Sequence, residues 1–274
     1  MPASALVFAL AAAVVHATWN MLVARSRDPQ AATAVAGVIG GLLFIPVVAI
    51  TWRVDAAALP YAAASAVVHV AYFGLLARGY ARADLSTVYP LARGTAPVLV
   101  LVGAALVLGE SPSAIQVAGV LAVAAGVLLV RGLGRGGDRA GELLGLLVGV
   151  TIAAYTIIDK RGVEHAAAIP YLLLLNFPAS LVYLGLVARR GGRARLAREL
   201  RPLSALIGIG MMGAYGLVLA ALQRGPASGV AATRETSILI ATLFGAVLLG
   251  EHVTRTRALG AAAIVAGVAA VALG

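Results

Sequence analysis

Two arginines stand where arginine is expensive. Arg93 lies inside the apolar run 84–108. Arg234, followed at once by Glu235, lies inside the run 226–249. A charged side chain at the centre of a membrane span costs roughly 2.5–3.5 kcal/mol on insertion scales, so such groups face a bundle interior or a wet cavity. A guanidinium held there binds a carboxylate or phosphate through forked hydrogen bonds. The chemistry predicted is capture of an anionic group by Arg93 and Arg234. Glu235 would serve as counter-ion, proton carrier or partner for an amine. A competing reading is an internal ion pair between either arginine and Glu235 that only joins two parts of the chain. Arg234 is also within snorkelling reach of the interface if its span begins near residue 230.

A polar and aromatic set surrounds these charges at helical spacing. His16, Trp19 and Asn20 are spaced i, i+3, i+4, which puts them on one helix face. His69 and Tyr72, Tyr89 and Arg93, and Tyr155 and Asp159 pair in the same way, while Tyr215 and Asn176 stand alone. Such a lining suits a small polar or aromatic solute. Trp19, Asn20, Tyr72, Tyr89 and Tyr215 therefore join Arg93, Arg234 and Glu235 as the expected substrate site. His16 and His69 join Glu235 as candidates for proton coupling. The plainer alternatives place Trp19 and Tyr155 in an interfacial aromatic belt and make each histidine a neutral group bonded to a neighbouring helix. Asp159 adjoins Lys160 and Arg161 and is expected at the interface. Glu110 and Glu251 end their runs and are expected to cap helices or contact loops.

Prolines mark a further feature. Pro90 and Pro97 have no N–H, so the carbonyls of Ser86 and Arg93 lose their helical donors. A helix break at these two residues is predicted, which would offer backbone acceptors to substrate or water. A packing kink is the other reading. Ala231 and Ile238 occupy the matching positions of the second half, so the break is expected in the first half alone. Pro226 is expected to start a span, where the missing donor matters little.

The elements that must carry these residues are membrane helices. The 274-residue chain is 61% hydrophobic and 12% charged. Apolar runs fall near 4–24, 31–52, 57–78, 84–108, 113–131, 140–158, 168–188, 202–222, 226–249 and 255–273. Each approaches the roughly 20 residues needed to cross a bilayer. They are too long and unalternating for barrel strands. The first run lacks a basic leader and is expected to remain as an uncleaved helix. The net charge of +10 sits in short clusters between runs, and sparse aromatics offer no stacking platform, which argues against nucleic acid. The absence of cysteine removes disulfides and thiol chemistry. No metal or cofactor is expected. No HExxH, GxSxG or phosphate loop is present, and the sequence argues against an enzyme. The glycine-rich GLGRGGD at 132–138 follows a span rather than a strand, so it is expected to link two halves (133–139) and not to bind a dinucleotide.

The halves, 1–132 and 140–274, resemble one another. At a shift of 141 positions, Arg93 meets Arg234, Thr95 meets Thr236, Gly109-Glu110 meets Gly250-Glu251, and Gly119 and Gly126 meet Gly260 and Gly267. Each half carries five spans, so tandem copies would be inverted in the membrane, an architecture recurrent in transporters. The expected fold is an all-α membrane protein of ten transmembrane helices in two inverted five-helix repeats. Gly119 with Gly126, and Gly260 with Gly267, lie two turns apart on one face. They are expected to pack spans five and ten together, or to form a dimer seam.

This pattern resembles the EamA family of the drug/metabolite transporter superfamily. The resemblance covers nearly the whole chain. It rests on the span count, the duplication, HATWN at 16–20, YPLARG at 89–94, and the proline-bearing fourth span that ends in Leu108-Gly109-Glu110, echoed by Leu249-Gly250-Glu251. It implies a secondary transporter, exporter or exchanger, of a small polar metabolite such as an amino acid or other carboxylate. Transport would proceed by alternating access around a central pocket. A channel-like facilitator and a non-transporting membrane scaffold are the alternatives. Most loop Lys and Arg follow odd-numbered spans, including Arg25, Arg78, Arg131 and the Arg189–Arg201 cluster. Only Arg53, Lys160, Arg161 and Arg224 follow even ones. The positive-inside rule then expects a multi-pass inner (plasma) membrane protein with both termini outside. The expected partners are the bilayer, a small-molecule substrate and a coupled proton, with the chain a monomer or homodimer.

Overall fold

The computed structural model describes residues 1–82, 85–131, 139–249 and 254–274. The expected linker, apart from Arg139, lies outside these residues, as do Gly250, Glu251 and the side chains of Tyr89 and Pro90. The described chain is built of helices: α1 (Ala3–Ala24), α2 (Pro29–Thr51), α3 (Ala58–Arg82), α4 (Leu85–Gly103), a π-helical turn (Ala104–Leu108), α5 (Ala114–Arg131), α6 (Arg139–Gly162), α7 (Ala168–Gly191), α8 (Arg193–Ala197), α9 (Pro202–Leu222), α10 (Ala227–Arg234), α11 (Thr236–Leu249) and α12 (Arg255–Leu273). Among the described residues, eight stretches are long and apolar enough to cross a membrane, α5 is a shorter apolar helix, and α10 and α11 are separated by one residue.

Local chemistry sets the ends. Asp28 caps α2 by accepting from the Ala31 N–H, with Pro29 opening the helix. Thr254 caps α12 by accepting from Arg257. The π-helical turn stops at Gly109, whose φ of 72° lies in the left-handed region that glycine adopts without penalty.

The break in the helices is not where the prolines predicted it. α4 stays helical through Pro90 and Pro97. The interruption falls in the second half, at Glu235 between α10 and α11. There the Glu235 N–H donates to Ala232 O at 3.1 Å and the Ile238 N–H donates to Glu235 O at 3.0 Å, a tight i to i+3 pattern. Thr233 and Thr236 turn their hydroxyls back onto Gly229 O and Thr233 O, a habit that bends helices. A proline removes one donor but imposes helical φ, so a transmembrane helix absorbs it.

Packing inverts the pattern of a soluble protein. The buried residues of α1 are Ala5, Ala9, Ala12, Ala13 and Ala17, whereas Ile50, Val67 and Leu106 point outward, 70–84% exposed. Lipid solvates large side chains as well as a core does, so small residues take the helix contacts. Gly119 lies against Gly267 and Gly126 against Gly260, which packs α5 and α12 together inside the molecule and runs them antiparallel. α2 and α7 are likewise antiparallel, with Gly37 against Ser180 and Gly41 against Phe177. Other contacts come in exchanged pairs. α1 packs on α9 as α6 packs on α3, α2 packs on α9 as α7 packs on α3, and α4 meets α6 as α10 and α11 meet α1.

The two ends differ. At one, the N-terminal ammonium of Met1 donates to Ala272 O, and loop 52–57 pairs with loop 163–167 through the antiparallel Val54–Ala166 bridge. Gln223 Nε2 donates to Val163 O and Ala166 O, and Lys160 Nζ donates to Leu222 O and Gly225 O. Glu110 accepts from the N–H groups of Ala227 and Ser228 and from Ser228 Oγ, so the helix-end role expected of it is a cap on α10. At the arginine-rich end, Asp28 accepts from Arg195. A cavity of about 120 Å³ opens there among Gln30, Phe73, Arg78, Tyr183 and Arg195.

Candidate functional site

The residues singled out by sequence converge near the break in α10 and α11. Arg93 is buried, and its Nε lies 3.0 Å from Glu235 Oε2. Its Nη2 donates to Ser237 Oγ at 3.0 Å. Thus α4 of the first half is tied to the α10–α11 junction of the second. Glu235 is 3% exposed and comes within reach because the interruption turns it inward as the residue ending α10. This is the internal ion pair anticipated as a competing reading, realised on Arg93.

Arg234 differs from its counterpart. It is half-buried, and its guanidinium carbon stands 5.7 Å from the Tyr215 ring centroid, a cation–π contact. Among the described residues Arg234 has no ion-pair partner. α1, which carries His16, packs against α10 and α11 beside Arg234. His16 meets Trp19 edge-on at 5.1 Å, and Trp19 packs against Gly210 of α9. The Trp19 indole Nε1 is buried with no hydrogen-bond acceptor among the described residues. Asn20 donates to His16 O on its own helix, so it is not poised on the arginines. Asn176 likewise accepts from Ser180 within α7.

A second cluster lies toward the end that carries the termini. Asp159 is 0% exposed, enclosed by neighbouring helices near the end of α6 rather than screened by solvent as its neighbours suggested. It accepts from Tyr171 OH at 3.0 Å and from Tyr215 OH. The sequence signal was the helical stripe Ile152, Tyr155, Thr156 and Asp159, all buried. Lys160 falls off that stripe and turns away to α9, and Arg161 lies near the surface, reaching Val107 O. Chain adjacency misled where helical periodicity would have succeeded.

His69 stacks on Tyr155 at 4.3 Å and meets Tyr215 edge-on at 5.6 Å. Its Nδ1 lies 2.8 Å from Ser65 O, so that nitrogen donates within its own helix rather than to a neighbour. Tyr72 meets Tyr155 edge-on at 6.1 Å. Tyr155 is buried, so it is not a belt residue. His69, Tyr72, Tyr155 and Tyr215 form one aromatic wall, joined to Arg234 through Tyr215.

The family model for the EamA-like transporter family matches residues 3–132 and again residues 139–273. The chain belongs to the EamA-like transporter family. An EamA-like chain is a transporter embedded in a membrane, which accords with its apolar helices. A search against curated proteins gives no match. A solved crystal structure of a protein shares the fold, with a TM-score of 0.80 and 17% identity, covering 100% of this chain and 99% of that one. At that identity the likeness speaks for architecture only.

Proposed function

We propose that this EamA-like chain is a secondary transporter, an exporter or exchanger, of a small metabolite bearing a carboxylate, an amino acid included. The observation that carries this reading is Arg234. A half-buried guanidinium inside an apolar bundle, without an ion-pair partner among the described residues, lacks the anion that would compensate it. A substrate carboxylate supplies one. The orphaned Trp19 N–H offers a further donor nearby, and the aromatic wall with Tyr72 and Tyr215 gives the substrate's body an apolar surface, to which we assign Tyr89 as well from its helical spacing to Arg93. Glu235 takes a different part: it holds Arg93, and that pair fastens the two halves across the pocket.

Alternating access needs two mobile halves around a fixed site. The exchanged helix contacts and the antiparallel α5–α12 and α2–α7 seams support two inverted five-helix repeats, with α10 and α11 together as the ninth of ten spans. The backbone pairing of loops 52–57 and 163–167 supports a conformation sealed at the end with the termini. The basic cavity by Arg78 and Arg195 supports access from the other end, where anions are drawn in. The arginine bias supports that end lying in the cytoplasm of an inner (plasma) membrane protein.

The test is a thermal-shift panel of L-amino acids, dicarboxylates and sugar phosphates on purified protein, followed by counterflow of any stabilising solute in proteoliposomes. Arg234→Ala is expected to weaken binding at least tenfold, and Arg93→Ala to weaken transport. Unchanged affinity and flux in Arg234→Ala would remove the pocket assignment. Proton coupling through Glu235, with His16 and His69 as relays, predicts that Glu235→Gln flattens the pH dependence of flux. A profile identical to wild type would exclude Glu235.

A further inference from the structure

Asp159 is a buried ionisable side chain that the substrate pocket does not use. A carboxylate at 0% exposure needs either a cation or a full set of donors. Here the donors are hydroxyls from two other helices. Tyr171 OH of α7 reaches Oδ1 at 3.0 Å. Tyr215 OH of α9 reaches Oδ2. α3 joins them through His69, which meets the Tyr215 ring edge-on at 5.6 Å. No ion pair joins Asp159 to Lys160 or Arg161, which point elsewhere.

The position gives this collar a consequence. Asp159 stands one turn from the end of α6, directly beneath loop 163–167. That loop pairs with loop 52–57 and receives Gln223. The collar joins α6, α7 and α9 of the second half, and His69 of α3 packs on its Tyr155 and Tyr215 rings, under the seal that closes this end. An ionised carboxylate accepts from both hydroxyls. A protonated one carries an O–H of its own, so the tyrosine facing the oxygen that bears the proton must turn from donor to acceptor or let go.

The geometry points to Asp159 as a proton-binding site whose occupancy governs the seal at the terminus-bearing end. The ligand is a proton, taken from water when this end opens and returned when the site is re-exposed. No other bond forms or breaks. Deprotonated Asp159 holds Tyr171 and Tyr215 together and keeps loops 52–57 and 163–167 paired. Protonated Asp159 reorients one tyrosine hydroxyl and loosens the Tyr215 ring against His69 of α3.

Other groups face this site. α3 brings His69, which bonds Ser65 O, and Tyr61, which stacks on His165 at 6.0 Å. α6 itself brings Tyr155, α7 brings Tyr171, α9 brings Tyr215, and α10 brings Arg234, which acts on Asp159 at longer range. Arg93 of α4 is turned to Glu235 and Ser237 instead. Tyr215 touches both Asp159 and Arg234, so a proton gained at one site alters the charge balance at the other. The inference rests on the transport reading for its purpose, but its test uses no solute and stands apart from the Arg234 experiment.

The chain has no cysteine, so spin labels can be placed cleanly at Ala56→Cys and Glu164→Cys across the seal. In liposomes, the label-to-label distance distribution is expected to shift to longer values as pH falls. The same labels on Asp159→Asn, which mimics the neutral acid, are expected to show no response to pH. A pH-insensitive parent protein, or an undiminished response in Asp159→Asn driven by His165 or His69, overturns the proposal. Should Asp159→Asn not fold, the otherwise wild-type protein labelled with carboxyl-13C aspartate decides by infrared pH-difference spectra. An isotope-shifted protonated-carboxyl band at a frequency typical of an apolar site supports it, and the absence of that band overturns it.

Discussion

Replacing Gly126 with alanine sets two effects of opposite sign against each other at the α5–α12 seam. Alanine is the better helix former by about 1 kcal/mol, which favours the variant. The added Cβ would lie 2.6 Å from Gly260 O, 2.7 Å from Ile264 Cγ1 and 2.9 Å from Ile264 N. Ordinary contact begins near 3.4 Å, so the helices must part by about 1 Å at a place packed to crystal-like density. Overpacking costs roughly 1–3 kcal/mol, and the upper part of that range applies because two of the three obstacles are backbone atoms that no rotamer change can move. The net expectation is destabilisation by about 1–2 kcal/mol, or a fall in Tm of about 3–6 °C on the scale of large soluble domains. Gly185→Ala and Gly213→Ala serve as controls, since a Cβ there meets nothing within 4 Å. They should match or exceed wild type. Gly260→Ala faces the same gap from the other side, so the Gly126→Ala and Gly260→Ala pair should cost less than the sum of its members. The assay is thermal unfolding in one detergent, followed by intrinsic tryptophan fluorescence. If Gly126→Ala is as stable as Gly185→Ala, the seam is not the tight contact described.

Three further expectations concern charge. The hydrogen bond from Arg195 holds the Asp28 carboxyl below its ordinary range, so this pair stabilises the fold at neutral pH and its contribution is lost as pH falls through the depressed value. Both groups are partly exposed, so Arg195→Ala should cost less than about 1 kcal/mol, and the Tm gap to wild type should close between about pH 7 and about pH 3. A gap that widens in acid contradicts the assignment. Glu110→Ala removes the cap on α10 and should cost about 1–2 kcal/mol, with faster hydrogen exchange at Ala227 and Ser228; unchanged exchange there would rule the cap unimportant. Arg93→Ala strands Glu235 in an apolar interior and should cost about 3–5 kcal/mol. Adding Glu235→Gln should recover most of that loss in a double-mutant cycle, and purely additive losses would mean that the two do not interact.

Much of the architecture was legible because membrane helices announce themselves by length and hydropathy, which need no tertiary context. The α5–α12 contact was legible for a similar reason, since glycines two turns apart have few other uses in an apolar helix. The break was misplaced because it is tertiary. Nothing local to Arg234, Glu235 and Thr236 forbids a continuous helix. Arg93 engages Glu235 and Ser237 across the junction, and the threonine hydroxyls accommodate it. Asp159 was misplaced for the opposite reason, because its sequence neighbours outweighed its helical face. Tyr171 carried no signal at all, since its partner is a residue whose burial was not foreseen.

The duplication also explains why the charges do not cancel locally. Arg93 and Arg234 occupy equivalent positions, but Gly94 stands in the first half where Glu235 stands in the second. Two arginines therefore share one adjacent acid. That acid bonds across the halves, to Arg93 rather than to its own neighbour. Arg234 is left with the face of Tyr215 and, beyond that ring, Asp159. An arginine balanced only at a distance binds an incoming anion more readily than one already paired, because no existing ion pair has to be broken first. In a two-fold arrangement with identical halves, both arginines would be equally paired or equally bare. The one acid at this position pairs Arg93 and leaves Arg234 without an ion-pair partner among the described residues, which is why Arg234 rather than Arg93 is the residue on which the proposed transport reading turns.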